Sequence, residues 1–184
     1  GASHAEELVT QACFLGYNAI AITDECSVAG VVRAYTEIKD HQLPIKLIVG
    51  SLFKLKQGLN PELNPELQFV LLCPNRQAYA ELCRLITNAR RRAPKGDYTL
   101  SEWDLMSVKH CLVIWLPRGE VCDETWAKWL HKYHHQRLWI GLQRHLKHND
   151  KSYTQHCRAL SQVWKIPITA CGGVLMHTAT RLPL

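Results

Sequence analysis

The stretch LGYNAIAITDECSVAGVVRA, residues 15–34, decides the fold. Gly16 interrupts a helical pattern, and Asn18–Thr23 then carries an unbroken apolar run, Ala19, Ile20, Ala21 and Ile22. A short run of this kind is expected of a strand buried on both faces. After the polar turn Thr23-Asp24-Glu25, apolar residues return at helical spacing over Ser27–Asp40: Val28, Val31, Val32, Tyr35 and Ile38. Upstream, Ser3 stands three residues before Glu6 as a capping box, and Leu8, Val9, Ala12, Cys13 and Leu15 continue a first helix. Helix, buried strand, acidic turn and helix therefore follow in order.

The same alternation extends to the end of the chain. Pro44 precedes a strand over Ile45–Val49 that ends at Gly50, and Leu52–Lys56 extends it or pairs with an edge. Asn60-Pro61-Glu62-Leu63 is repeated as Asn64-Pro65-Glu66-Leu67, and Asn-Pro favours turns, so this reads as an exposed loop. A strand over Leu67–Cys73 leads to a helix capped by Asn75 and running to about Arg92, then a loop over Ala93–Tyr98. Beyond it the pattern predicts a short helix from Ser101 to Met106 and a strand over Cys111–Leu116. A helix over Asp123–His135, a strand over Arg137–Leu142, a helix over Asp150–Trp164 and a last strand over Pro167–Cys171 complete it. The reading is one parallel α/β domain over residues 1–184, barrel or doubly wound. Neither G-x-G-x-x-G nor G-x-x-x-x-G-K-[ST] occurs, which favours a barrel over a nucleotide-binding open sheet. A barrel that opens on a helix lacks one strand before Gly1.

Composition narrows the function classes. With 184 residues, 47% hydrophobic and 21% charged, the chain can bury a sizeable core and is not a disordered segment. Its apolar runs are far shorter than the roughly 20 residues a membrane helix needs. The first seven residues hold two acids and no basic region followed by a long apolar one, unlike a signal peptide, so a cytoplasmic location is expected. Eight cysteines are present, but the closest pair, Cys73 and Cys83, lies ten apart and no C-x-x-C exists. The thiols are expected to be reduced and packed as small hydrophobes, not to form a zinc ribbon. The net charge of +6 is concentrated at Arg90, Arg91, Arg92 and Lys95.

In a parallel α/β domain, function gathers just after the C-terminal ends of strands. Those positions are Thr23-Asp24-Glu25, Gly50-Ser51-Leu52 and Cys171–His177. Together with Leu15-Gly16-Tyr17, Gly30–Ala34, Ile48-Val49-Gly50-Ser51, Asn88–Gly96, Val174, Met176 and His177, they resemble the PHP (polymerase and histidinol phosphatase) domain of bacterial C-family DNA polymerases. The resemblance is closest to the error-prone, translesion branch of polymerase III α-subunit-like proteins. Asn88-Ala89-Arg90-Arg91-Arg92-Ala93-Pro94-Lys95-Gly96 is its most specific part.

The resemblance implies a distorted TIM-like (β/α)7 barrel of which the first strand is missing from this chain. In active members it also implies metal ions held at the strand ends by His, Asp and Glu, with hydroxide as nucleophile. Asp24 matches a ligand position, Glu25 stands where phosphoesterase members carry His, and His177 matches the outer His of the closing motif. Leu52 replaces a carboxylate, Gly173 and Leu175 replace an Asp and a His, and the opening His-x-His strand would precede Gly1. Asp24, Glu25 and His177 are then vestigial positions, too few for a cluster of ions that each want four or more donors. No metal cofactor is expected; manganese, zinc or magnesium belongs to the alternative reading.

Simpler roles stand beside these. Asp24 and Glu25 can cap the helix beginning near Ser27. His131, His134 and His135, at i, i+3 and i+4, can be a metal patch but are expected to be solvated, and the same holds for His145 and His148. Arg90, Arg91, Arg92 and Lys95 can neutralise a helix C-terminus, touch DNA phosphates or dock on the remainder of a polymerase chain. The expected function is a degenerate, metal-free PHP domain serving as a structural or interaction module in replication or translesion repair, with no catalysis of its own. Its expected partners are the rest of the polymerase, DNA and other translesion or replication proteins. The alternative is an active metal-dependent phosphoesterase, of pyrophosphatase or 3′–5′ proofreading exonuclease type.

Overall fold

The computed structural model describes residues 3–55, 66–144 and 148–179. Lys56, the Asn-Pro-Glu-Leu duplication up to Pro65, and His145 lie outside the described residues. The elements follow in the order α1 (Ala5–Phe14), β1 (Ala19–Ile22), α2 (Ala29–Asp40), β2 (Lys46–Leu55), β3 (Leu67–Leu72) and α3 (Arg76–Arg91). They continue with α4 (Glu102–Ser107), β4 (Leu112–Leu116), α5 (Asp123–His134), β5 (Leu138–Gln143), α6 (Asp150–Trp164) and β6 (Ile168–Cys171). The six strands form one sheet in sequential order, curled as a half-barrel.

The expectation of an all-parallel sheet is corrected at β3. Strand β1 runs parallel to β2, and β4, β5 and β6 run parallel to one another, but β3 is antiparallel to both β2 and β4. Five strands therefore point one way and β3 points back. The reason is the connection from β3 to β4, which makes two passes instead of one. Helix α3 climbs from the base, and its last turn reaches the mouth, where Arg90 donates to the carbonyls of Glu25 and Cys26. The chain then descends through α4 to Lys109, His110 and Cys111, whose N–H groups donate to Glu81 near the start of α3. Strand β4 starts again from the base.

Periodicity explains the burial. Strand β3 alternates, burying Leu67, Phe69 and Leu71, and Phe69 stacks on its register partner Phe53 with ring centroids 5.5 Å apart. Helix α3 buries Ala78, Leu82, Leu85 and Ala89, a single stripe at helical spacing, and leaves Arg84 and Arg91 exposed. These residues join Trp115, Trp126, Leu130 and Ile140 in the main core. A smaller core of Val9, Ile22, Ala34 and Ile45 seats α1 and α2 on β1. Gly50 is required where β2 bends past β3: a Cβ there would lie 2.7 Å from the Leu71 carbonyl oxygen.

Two caps show how local sequence is read by the fold. Asn75 accepts from the Ala78 N–H at 2.9 Å, as its position before α3 predicts. At α1 the capping box belongs to His4 and Glu7, not to Ser3 and Glu6. Ser3 is displaced from that role because its hydroxyl holds His177.

Candidate functional site

The turn after β1 is tied to β2 by backbone. Cys26 N–H donates to the Leu52 carbonyl at 2.8 Å, and Leu52 N–H donates to the Asp24 carbonyl at 3.2 Å. Ser51, fully buried, donates its hydroxyl to the Asp24 carbonyl at 2.8 Å and accepts from Ser27 N–H at 3.0 Å. Gly50-Ser51-Leu52 thus works as a staple for the β1–α2 turn. Cys26 takes the left-handed φ of 45° that this tight turn imposes. Asp24 Oδ2 accepts from the Gly30 N–H at 2.8 Å and so satisfies one of the free donors in the first turn of α2.

Glu25 turns away from Asp24 into a separate network. Its Oε2 pairs with Lys54 Nζ at 2.9 Å, and its Oε1 accepts from the Tyr98 hydroxyl at 2.8 Å. The same hydroxyl accepts from the Lys54 N–H at 2.9 Å. Burial, reinforced by the Glu25 carboxylate, pushes the Tyr98 hydroxyl well above its ordinary titration range, so it remains a donor to Glu25 at every physiological pH. Arg90 completes the network: Nε donates to the Cys26 carbonyl and Nη2 to the Glu25 carbonyl, both at 3.2 Å. Its Nη1 reaches the carbonyls of Gly96 and Asp97 at 3.3 and 3.2 Å, and its guanidinium lies 5.4 Å from the Tyr98 ring centre. One side chain thereby clamps the turn after β1 to the loop after α3.

His177 is held on the opposite flank. Its Nδ1 lies 2.7 Å from Ser3 Oγ and 4.0 Å from Glu7 Oε1, and its N–H donates to Ser3 Oγ at 3.0 Å. The Ser3 N–H donates to the Leu175 carbonyl at 3.2 Å, so the segment after β6 is laced to α1. The Leu175 side chain is exposed. Gly173 has a left-handed φ of 57°, and a Cβ there would meet Gln143 Nε2 at 2.8 Å.

The basic run divides. Arg90 is spent on four carbonyls, and Arg92 pairs with Asp104 at 2.6 Å. Burial works against the charged form of Asp104, but the bonds from Arg92 and Ser101 prevail and hold its carboxyl below the usual range. Arg91 and Lys95 remain exposed with no ion-pair partner among the described residues. The histidine run also divides. His131 and His135 lie with tilted rings 5.6 Å apart, whereas His134 is 1% exposed, which corrects the expectation that all three are solvated. Neither of its ring nitrogens has a hydrogen-bond partner among the described residues. Burial, then the nearby Arg137 and Lys109, lowers its pKa to about 3.

Among the described residues, the side chains at the candidate ligand positions do not converge. Asp24 and Glu25 face different partners, His177 is engaged by Ser3, and Leu52, Gly173 and Leu175 offer no side-chain donor. No three His, Cys, Asp or Glu side chains converge among the described residues. Sequence reasoning placed Ser51 at a strand end but not its role as a staple, and it missed Lys54 and Tyr98 as site residues. Of these two, only Tyr98 carried a signal, its place two residues after the Arg-rich stretch and Gly96.

Comparison with known proteins fits this architecture. The PHP domain family model matches residues 1–138. Over its full length the chain is 64% identical to an error-prone DNA polymerase of Vibrio vulnificus, 44% to that of Teredinibacter turnerae and 43% to that of Pseudomonas aeruginosa. It spans 17% of the length of each of these relatives. Its fold is similar to that of a Bifidobacterium adolescentis protein provisionally named a metal-dependent phosphoesterase, with a TM-score of 0.62 at 11% identity, covering 96% of this chain and 83% of that one. The chain belongs to the PHP domain family.

Proposed function

We propose that the chain is a metal-free PHP module of an error-prone DNA polymerase, with a structural role toward the rest of that polymerase and no phosphoesterase activity. One observation carries this reading. The groups at the ligand positions, Asp24, Glu25 and His177, are each bonded to protein partners at 3.0 Å or less. A mouth built this way resists catalysis in two respects. Bringing a metal to Glu25 would break its pair with Lys54 and leave the hydroxyl of the buried Tyr98 without its acceptor. Supplying an Asp at position 173 would place a side chain where the backbone is left-handed and Gln143 already sits.

In this reading the domain is a (β/α)7 barrel of which six strands are described, and β1 and β6 flank the place of the seventh. Its surface toward DNA or a partner is the pair Arg91 and Lys95, with Arg92 contributing the part of its guanidinium not held by Asp104. The work of the parent enzyme, templated DNA synthesis across damaged sites, would rest on domains outside this chain.

The test is a phosphoesterase assay on the purified chain with manganese, zinc and magnesium in turn. Pyrophosphate, p-nitrophenyl phosphate and a single-stranded DNA 3′ end would serve as substrates. The expected result is no turnover above the metal-only blank. Turnover that disappears in both Asp24→Asn and Glu25→Gln would overturn the proposal and establish the phosphoesterase reading.

A further inference from the structure

At the base of the sheet, away from the mouth, two cysteines face each other across the antiparallel ladder. The register of β3 and β4 pairs Leu72 with Leu112, so the next position outward pairs Cys73 with Cys111. The backbone bonds identify this as a non-hydrogen-bonded pair. Cys73 N–H donates sideways to the Val49 carbonyl of β2 at 2.9 Å, and a strand residue points its N–H and C=O to the same side. Cys111 likewise turns its N–H to Glu81 Oε2 at 3.2 Å, and its carbonyl accepts from Arg137 Nη1 at 3.1 Å. At such a site the Cα atoms stand about 4.5 Å apart with side chains close, within the roughly 4.4–6.8 Å that a disulfide spans.

The side chains agree with this register. The Cys111 thiol donates to the Ala78 carbonyl at 3.3 Å, and the two thiols perturb each other's titration in opposite directions. Both residues are free thiols, Cys111 fully buried and Cys73 half-buried, so only Cys73 is open to a small reagent. We propose that Cys73 and Cys111 form a reversible cross-strand disulfide, a redox modification site joining the end of β3 to the start of β4.

The two thiols are differentiated for this chemistry. Donation from Cys111 holds the Cys73 thiol below its ordinary value, against burial and the Glu81 carboxylate. Cys73 is therefore the attacking thiolate. It attacks one sulfur of a low-molecular-weight disulfide, forming a mixed disulfide and expelling the other half as a thiolate. The Cys111 thiol is held high first of all by its bond to Cys73, then by burial. Once the Cys73 sulfur is neutral in the mixed disulfide, that bond and its charge no longer hold the Cys111 proton. Cys111 then gives its proton to the expelled thiolate, attacks the Cys73 sulfur and releases the second half as a thiolate. In sum, two protein thiols become one disulfide and the small disulfide becomes two thiols.

Trypsin places the three cysteines of this region on separate peptides, Cys73 on residues 57–76, Cys83 on 77–84 and Cys111 on 110–118. The purified chain would be incubated with oxidised glutathione, its remaining thiols alkylated, and the intact mass and non-reducing peptide map recorded. The expected result is a loss of two hydrogens and a 57–76/110–118 crosslink in most molecules, reversed by dithiothreitol. Cys73→Ser, a near-isosteric change at a half-buried position, is expected to abolish the crosslink while its circular dichroism stays unchanged. Persistent glutathione adducts without the crosslink, a link from 57–76 to 77–84 instead, or equal crosslinking in urea would overturn the proposal.

Discussion

The two ends of the sheet treat their polar groups in opposite ways. At the mouth, Glu25, Lys54, Tyr98 and Arg90 satisfy one another, and Asp24 is spent on α2. At the base, Glu81 and Arg137 hold the segment entering β4, yet the neighbouring His134 is buried with both ring nitrogens unpartnered among the described residues. The strand ends of the mouth are closed by internal bonding. The base keeps groups that proton or oxidant can still change.

Arg90 is the sharpest way to break the mouth. Its truncation removes bonds to four carbonyls at once; a hydrogen bond involving a charged group contributes a net of roughly 1.5–3 kcal/mol, and less where, as for three of these four, water can take its place. We expect Arg90→Ala to cost about 3 kcal/mol in urea unfolding, and Arg90→Lys to recover little, because one ammonium cannot reach four acceptors. A loss below about 0.5 kcal/mol would place Arg90 among ordinary surface residues.

The base is probed by acid. With a folded pKa of about 3 for His134, the unfolded chain binds a proton below its ordinary value of about 6.5 while the folded chain does not. The stabilising effect of the neutral ring is complete above that ordinary value and is lost as pH falls toward 3, by at most about 1.4 kcal/mol per unit. Between pH 6.5 and 5 this amounts to about 1.5 kcal/mol. His134→Leu should flatten that segment of the stability curve, and an unchanged slope would assign it to another group.

Much of this was legible in advance, for identifiable reasons. Element positions followed from local signals: the apolar run Ala19–Ile22 marks β1, although only Ile22 is fully buried where burial on both faces was expected, and Asn75 marks the start of α3. The direction of β3 was not legible, because an apolar run has no polarity and the return pass through α4 resembles an ordinary loop and short helix. The chemistry of the basic run was legible only as charge. Arg90, Arg91 and Arg92 are equivalent in sequence, and only the helix phase, which sends position 90 inward to the mouth and 91 outward, separates clamp from surface cation. Ser51 was legible only as a strand-end position and Lys54 gave no signal, because their bonding depends on the turn after β1 and on Glu25.

Smaller effects sharpen the comparison. Asp24→Ala should cost about 1 kcal/mol, the usual loss when a helix N-terminal N–H loses its side-chain acceptor. A larger effect would mean that Asp24 does more than cap α2. Joint replacement of Arg91 and Lys95 by alanine should change stability by less than about 0.5 kcal/mol. It should also lower the salt slope of single-stranded DNA binding by about 1.4, roughly 0.7 for each lost phosphate contact. An unaltered slope would remove these two residues from any DNA surface.

The most direct measurement for the mouth is manganese binding to the purified chain by equilibrium dialysis, repeated with Asp24→Asn and Glu25→Gln. Closure by internal bonding predicts no saturable binding and identical results for the three proteins. Two or more ions per chain, lost in both variants, would show that these carboxylates remain a working metal site and would contradict it.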